Sequence, residues 1–127
     1  MEAPGQPYST CVQVGNHFHF SGTIGIVENG RLKSNGNFQE QVVEVLQKMA
    51  DQLIAVGLTP DDVHSATVMI VSDNYPRDYA CLNDCWKVSF GVNTSVVRPR
   101  RKAFGVSWLP FDALVEIEFD AVKQSEG

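Results

Sequence analysis

Arg98-Pro99-Arg100-Arg101-Lys102-Ala103-Phe104-Gly105-Val106-Ser107-Trp108-Leu109-Pro110-Phe111-Asp112-Ala113-Leu114-Val115-Glu116-Ile117-Glu118-Phe119-Asp120-Ala121-Val122 carries most of the architectural signal in the chain. Residues 96–108 and 113–122 read as two strands, joined by Leu109-Pro110-Phe111-Asp112. Alternate residues of a strand share a face. Arg101, Ala103, Gly105 and Ser107 therefore point one way and Lys102, Phe104, Val106 and Trp108 the other. The bulky face suits packing under helices. The small residues beside Arg101 leave a concavity that a ligand could fill. In the last strand, Ala113, Val115, Ile117, Phe119 and Ala121 oppose Leu114, Glu116, Glu118 and Asp120. Pairing across the short connection would form a hairpin with Glu116 near Gly105, on the same ribbon as Arg101.

Upstream, residues 8–14 favour β structure up to a Gly15-Asn16 turn, and His17-Phe18-His19-Phe20 alternates polar and apolar. These two segments predict a hairpin after an irregular lead-in through Pro4, Gly5 and Pro7. A third extended segment is expected over residues 23–27, before the turn Glu28-Asn29-Gly30-Arg31. Asn37 can cap a helix, with Glu40 three residues on. Val42, Val43, Leu46, Met49, Ala50, Leu53 and Ile54 form its apolar stripe, and Gly57 fits a left-handed end. A strand follows over residues 64–71. A second helix starts at Tyr75-Pro76-Arg77-Asp78, with Tyr79, Leu82, Trp86 and Phe90 as its stripe and Gly91 at its close. Strands, helix, strand, helix, strands predict an α+β fold, with helices on one face of a mixed sheet.

The chain has 127 residues, which fits a single domain over residues 1–127. It is 43% hydrophobic and 20% charged, as expected of a globular protein. A net charge of −5 argues against nucleic-acid or anionic-membrane partners, because both need a concentrated positive field. Arg98, Arg100, Arg101 and Lys102 form the one dense basic cluster, with no adjoining aromatic run. Three cysteines, no secretory pattern and no membrane-length apolar run predict a cytoplasmic protein in a reducing setting.

Arg101 and Glu116 are the residues with the clearest chemical potential. Arginine matches a carboxylate with a planar fork, and a nearby glutamate can activate water. The same pattern also fits a surface strand with a solvated ion pair. Cys81 and Cys85 stand at i and i+4 of a helix and read as buried structural thiols. His17 and His19 share a strand face and read as a polar or interface pair, and no metal is expected.

Arg98-Pro99-Arg100-Arg101 through Leu109-Pro110, followed by Leu114-Val115-Glu116-Ile117-Glu118, resembles the signature of the Rid (YjgF) family. The likeness extends to Pro7-Tyr8-Ser9, Phe20-Ser21-Gly22 with Ile24, Ala55-Val56-Gly57-Leu58 with Asp61-Asp62-Val63, and Asn83. It implies a chorismate-mutase-like α+β fold and a homotrimer with sheets inward and a pocket at each subunit interface. It also implies cofactor-free hydrolysis of enamines or imines such as 2-aminoacrylate to a 2-oxo acid and ammonia. By the resemblance, Arg101 grips the substrate carboxylate and Glu116 serves the attacking water. Tyr8, Ser21, Gly22 and Asn83 match other pocket positions.

The chain departs from the family pattern at four positions. Ala103 stands where Ser, Cys or Thr is common, Gly105 where a longer side chain is frequent, and Gly25 where proline is usual. Trp108 is large for its place. Ala103 and Gly105 imply a wider, less polar pocket and an altered substrate choice. Two alternatives follow: a pathway enzyme for a larger aromatic or heterocyclic substrate, or a regulatory protein that binds a small acid without turnover.

Overall fold

Gly15, at a positive φ of 61°, turns the chain between β1 (Cys11–Val14) and β2 (His17–Thr23), which pair antiparallel as the sequence predicts. The computed structural model describes residues 5–91 and 97–124; Pro4 of the expected lead-in and Val96 of the expected strand lie outside them. The third extended segment is shorter than expected. β2 runs on to Thr23, and β3 (Val27–Glu28) and β4 (Arg31–Leu32) form a small separate hairpin. Asn29 and Gly30 turn it at φ 53° and 78°, the left-handed pair that a two-residue hairpin loop requires.

Helix α1 (Phe38–Ala55) begins where Asn37 predicts, and the Asn37 side chain accepts from the Glu40 backbone N–H at 3.0 Å. Beyond its end, Gly57 sits at φ 80°. The buried stripe is Val42, Val45, Leu46, Met49 and Leu53, while Val43 and Ile54 are exposed. Gln41 is wholly buried in this stripe, donating to the Ser34 carbonyl and accepting from the Leu114 N–H. β5 (Val63–Ile70) follows one turn of 3-10 helix. Helix α2 (Tyr75–Phe90) then starts with Asn74 as cap and ends at Gly91.

β6 (Arg100–Gly105) and β7 (Val115–Val122) are the final strands, but they do not pair with each other. The five-stranded sheet has the order β1-β2-β7-β5-β6, so β5 separates them. β5 runs parallel to β6 and antiparallel to β7. The expected hairpin is therefore corrected: the Pro110–Asp112 turn carries the chain past β5 rather than folding it back. Phe111 and Asp112 both adopt positive φ there, 59° and 57°. Both helices cover one face of this mixed sheet, over a core that includes Phe20, Val68, Ile117 and Phe119.

Candidate functional site

Register settles where Arg101 points. It pairs with Ala66, which pairs in turn with Phe119, and both of those are buried in the core. Arg101, Ala103 and Gly105 therefore lie on the helix-covered face. The expectation that the bulky Lys102 and Phe104 face the helices is reversed: Phe104 is exposed. The physical reason is volume. β6 is an edge strand, and α2 supplies large side chains over it, so the strand beneath must be small.

Tyr79, Asn83 and Trp86 recur at i, i+4 and i+7 on α2 and meet Arg101 together. Arg101 Nη2 donates to Asn83 Oδ1 at 2.7 Å and to the Tyr79 hydroxyl at 3.2 Å. Its Cζ lies 5.5 Å from the Tyr79 ring centroid and 5.1 Å from that of Trp86. Contacts of this kind hold a guanidinium flat by cation–π attraction. Beside it, Ile70, Tyr75, Tyr79, Ala103, Gly105 and Val106 line a hollow of about 160 Å³.

Glu116 occupies the opposite face. It shares a row with Met69 and Phe104, while Arg101 shares one with Ala66 and Phe119. One chain thus does not bring the two side chains to one hollow, and that expectation is corrected. Burial, reinforced by Glu118, raises the Glu116 carboxyl above the usual carboxylate range. Glu116 lies against Gly22: a Cβ at position 22 would stand 2.3 Å from Glu116 Oε2. Ser21 and Gly22 sit where the register of β2 against β7 shifts, and Ser21 Oγ donates to the Ser9 carbonyl at 2.6 Å. Tyr8, Ser21 and Gly22 line a second hollow of about 220 Å³ with Lys48, Gln52 and Phe111. Burial lowers the Lys48 ammonium, against the opposing effect of Glu44, and Lys48 donates to the Gly25 carbonyl at 2.8 Å.

The candidate residues thus fall into two groups. Asn83, Ala103 and Gly105 gather round Arg101 at the β6 edge. Tyr8, Ser21 and Gly22 gather near the β1–β2 edge, with Glu116 reaching Gly22 from β7. Tyr79 and Trp86 belong to the apolar stripe that the sequence predicts for α2, and their helical spacing to Asn83 is the signal in the sequence that also places them at this site. Lys48 carried no such signal, since a lysine on a helix reads as solvated.

Other features have structural explanations. A hollow of about 730 Å³ lies between the first turns of the two helices. Asp78 within it is buried but satisfied, accepting from Ser72 Oγ at 2.6 Å and Arg77 Nε at 3.1 Å. His17 and His19 stack at 6.3 Å, and His19 Nδ1 meets Asp120 at 2.9 Å. Cys81 and Cys85 are half-buried rather than buried, against expectation, and pack against the core. Among the described residues, no group of three potential ligands could hold a metal, and no helix is long and apolar enough to cross a membrane.

A family profile described as Endoribonuclease L-PSP matches residues 1–123. The chain belongs to this family, the YjgF/RutC/Rid family. A RutC family protein of Pyrococcus horikoshii is 33% identical over 121 residues, spanning 95% of this chain and 90% of the relative. A 2-iminobutanoate/2-iminopropanoate deaminase of Mus musculus is 30% identical over 117 residues, spanning 92% and 82%. The crystal structure of a conserved Rid family protein from Yersinia pestis superposes with a TM-score of 0.82 at 30% identity, covering 95% of this chain and 90% of that one. At the family level, Rid membership supports imine or enamine deamination.

Proposed function

We propose that this Rid protein hydrolyses a small carboxylate-bearing imine, formed directly or by tautomerisation of an enamine such as 2-aminoacrylate, to a 2-oxo acid and ammonia without a cofactor. The observation that carries this reading is the Arg101 guanidinium, fixed by Asn83, Tyr79 and Trp86 beside a hollow. A planar cation so held can take a carboxylate through two parallel N–H bonds and orient the C=N carbon for attack. Glu116, with its raised proton affinity, suits the transfer of a proton from water. The water oxygen bonds to the imine carbon as the C=N pair moves to nitrogen. The nitrogen of the resulting carbinolamine takes the proton that Glu116 held. The C–N bond then breaks as the carbonyl forms, and the hydroxyl proton passes by way of Glu116 to the departing nitrogen, which leaves as ammonia.

Both residues serve one pocket when a second copy of the chain brings its Glu116 face to the Arg101 edge of the first. A homotrimer with interface pockets, as the Rid resemblance implies, does this. Exposed Val12, Val14 and Phe104 lie on the helix-free face with Glu116 and favour such burial. Tyr8, Ser21 and Gly22 would then complete the pocket from the Glu116 side. A cytoplasmic setting, where thiols such as those of Cys81 and Cys85 stay reduced, belongs to the same reading. The net charge of −5 favours a small molecule over nucleic acid.

The test is ammonia release in a coupled assay that generates 2-aminoacrylate, with Arg101→Ala alongside. Release by the intact protein and its loss in the variant support the reading. No release, with tight binding of a 2-oxo acid, would favour the small-acid-binding alternative.

A further inference from the structure

We infer that the preferred imine carries an aromatic, phenyl-sized side chain, seated in the hollow between β6 and α2. The inference rests on the proposed role of Arg101 as carboxylate anchor. Arg101, Ala103 and Gly105 follow one another on the same face of β6, at steps of roughly 6.6 Å. A carboxylate held by Arg101 therefore directs its substituent along the strand, over Ala103 and towards Gly105. Tyr79 joins the two regions, since it bonds Arg101 and also walls the hollow.

The hollow has the size and chemistry of a ring site. Its volume is about 160 Å³, and an apolar cavity of about 150 Å³ is enough to bind benzene. Among the described residues, its lining contains no charged side chain, which disfavours a second carboxylate on the substrate. Two of the hydroxyls at its wall are engaged: that of Tyr79 accepts from Arg101, and Ser72 Oγ donates to Asp78. Tyr75 and Tyr79 present aromatic surface, and Ile70 and Val106 present aliphatic surface. A methyl substituent would leave most of this space unfilled.

Gly105 is the telling residue. Its φ lies outside the left-handed region, so the backbone does not demand glycine. A Cβ there would meet only the Ile70 carbonyl oxygen, at 3.7 Å. The position could carry a side chain, and that side chain would fill the hollow. The missing side chain is what makes the space.

The experiment compares hydrolysis of 2-iminopropanoate and 2-imino-3-phenylpropanoate, each generated in situ by an amino-acid oxidase. Calorimetry compares binding of the matching 2-oxo acids, and the full chain is used with Gly105→Ile and Gly105→Val. The aryl compounds are expected to lead by about tenfold or more in kcat/KM and Kd, the gain from burying a ring. Either variant, folded by circular dichroism, should bring the aryl-to-methyl ratio near one. Hydrolysis of the methyl imine with no aryl preference overturns the ring site and leaves the deaminase reading standing. Hydrolysis of neither imine, with the aryl acid still bound tenfold tighter, upholds the ring site and overturns the deaminase reading. An unchanged ratio in both folded variants overturns the ring site.

Discussion

Arg101 and Glu116 stand on opposite faces of one sheet, Arg101 level with Ala66 and Phe119, Glu116 level with Met69 and Phe104. A pocket that uses both must therefore take them from different copies of the chain. Arg101→Ala and Glu116→Gln should each lose about a hundredfold or more of imine hydrolysis. When the two variants are unfolded together and refolded into mixed copies of the proposed homotrimer, roughly a quarter of the activity should return, because its symmetric pockets would pair an intact arginine with an intact glutamate at random. No recovery in mixed oligomers would show that the pair does not meet across an interface.

Gly22 gives Glu116 its place. A methyl group at position 22 would stand 2.3 Å from Glu116 Oε2, 2.9 Å from its Cδ and 3.1 Å from its Cγ. Gly22→Ala should push the carboxylate aside and lower kcat by up to about a hundredfold, since a misplacement of about 1 Å can cost that much. Melting temperature should change little, because the Glu116 side chain can swing away. Unchanged turnover in Gly22→Ala would separate Glu116 from the reaction.

The raised proton affinity of Glu116 predicts how stability depends on pH. An unfolded carboxyl titrates near its ordinary value of 4.5. Between that pH and the higher folded pKa, the folded chain holds a proton that the unfolded chain has released. Stability therefore falls as pH rises through this window and stays reduced above it. Glu116→Gln removes the penalty, so its stability advantage should grow from acidic to neutral pH. Urea denaturation across a pH series reads this directly. An advantage that shrinks towards neutral pH would contradict the burial argument.

Gln41 ties three segments together inside the core. Its side chain donates to the Ser34 carbonyl at 3.0 Å and accepts from the Leu114 N–H at 2.8 Å, fully shielded from water. Gln41→Leu leaves the Leu114 N–H without that acceptor, while the Ser34 carbonyl loses one of its two donors and keeps the Asn37 N–H at 3.0 Å. The buried unpaired N–H should cost about 1–3 kcal/mol. Chemical denaturation checks the loss. Stability equal to that of the parent would mean that water or a rearranged backbone replaces both bonds.

Much of this fold was legible locally. Asn37 and Gly57 mark the beginning of α1 and the turn beyond its end, and the alternation of Val115, Ile117, Phe119 and Ala121 gives the buried face of β7 correctly. Pairing partners were not legible, because a short link between two strands does not require them to be neighbours. β5 enters between β6 and β7 although it precedes both in the chain. The covered face of β6 was misjudged for a related reason. Side-chain bulk within one strand says nothing of the volume that α2 supplies from above through Tyr79 and Trp86. The α1 stripe was read too broadly: Val43 and Ile54 face water, and Val45 is buried in the core. Arg101 and Glu116 stood out by residue type and setting, but the face each occupies depends on long-range register.

β7 follows the other strands of the described residues in the chain, yet it lies at the middle of the sheet, between β2 and β5. During synthesis, β2 and β5 each wait with an unsatisfied ladder edge until residues 115–122 have emerged. The sheet thus closes late and from the inside, as a keystone closes an arch. Loss of those residues would leave two separate ribbons rather than a smaller sheet.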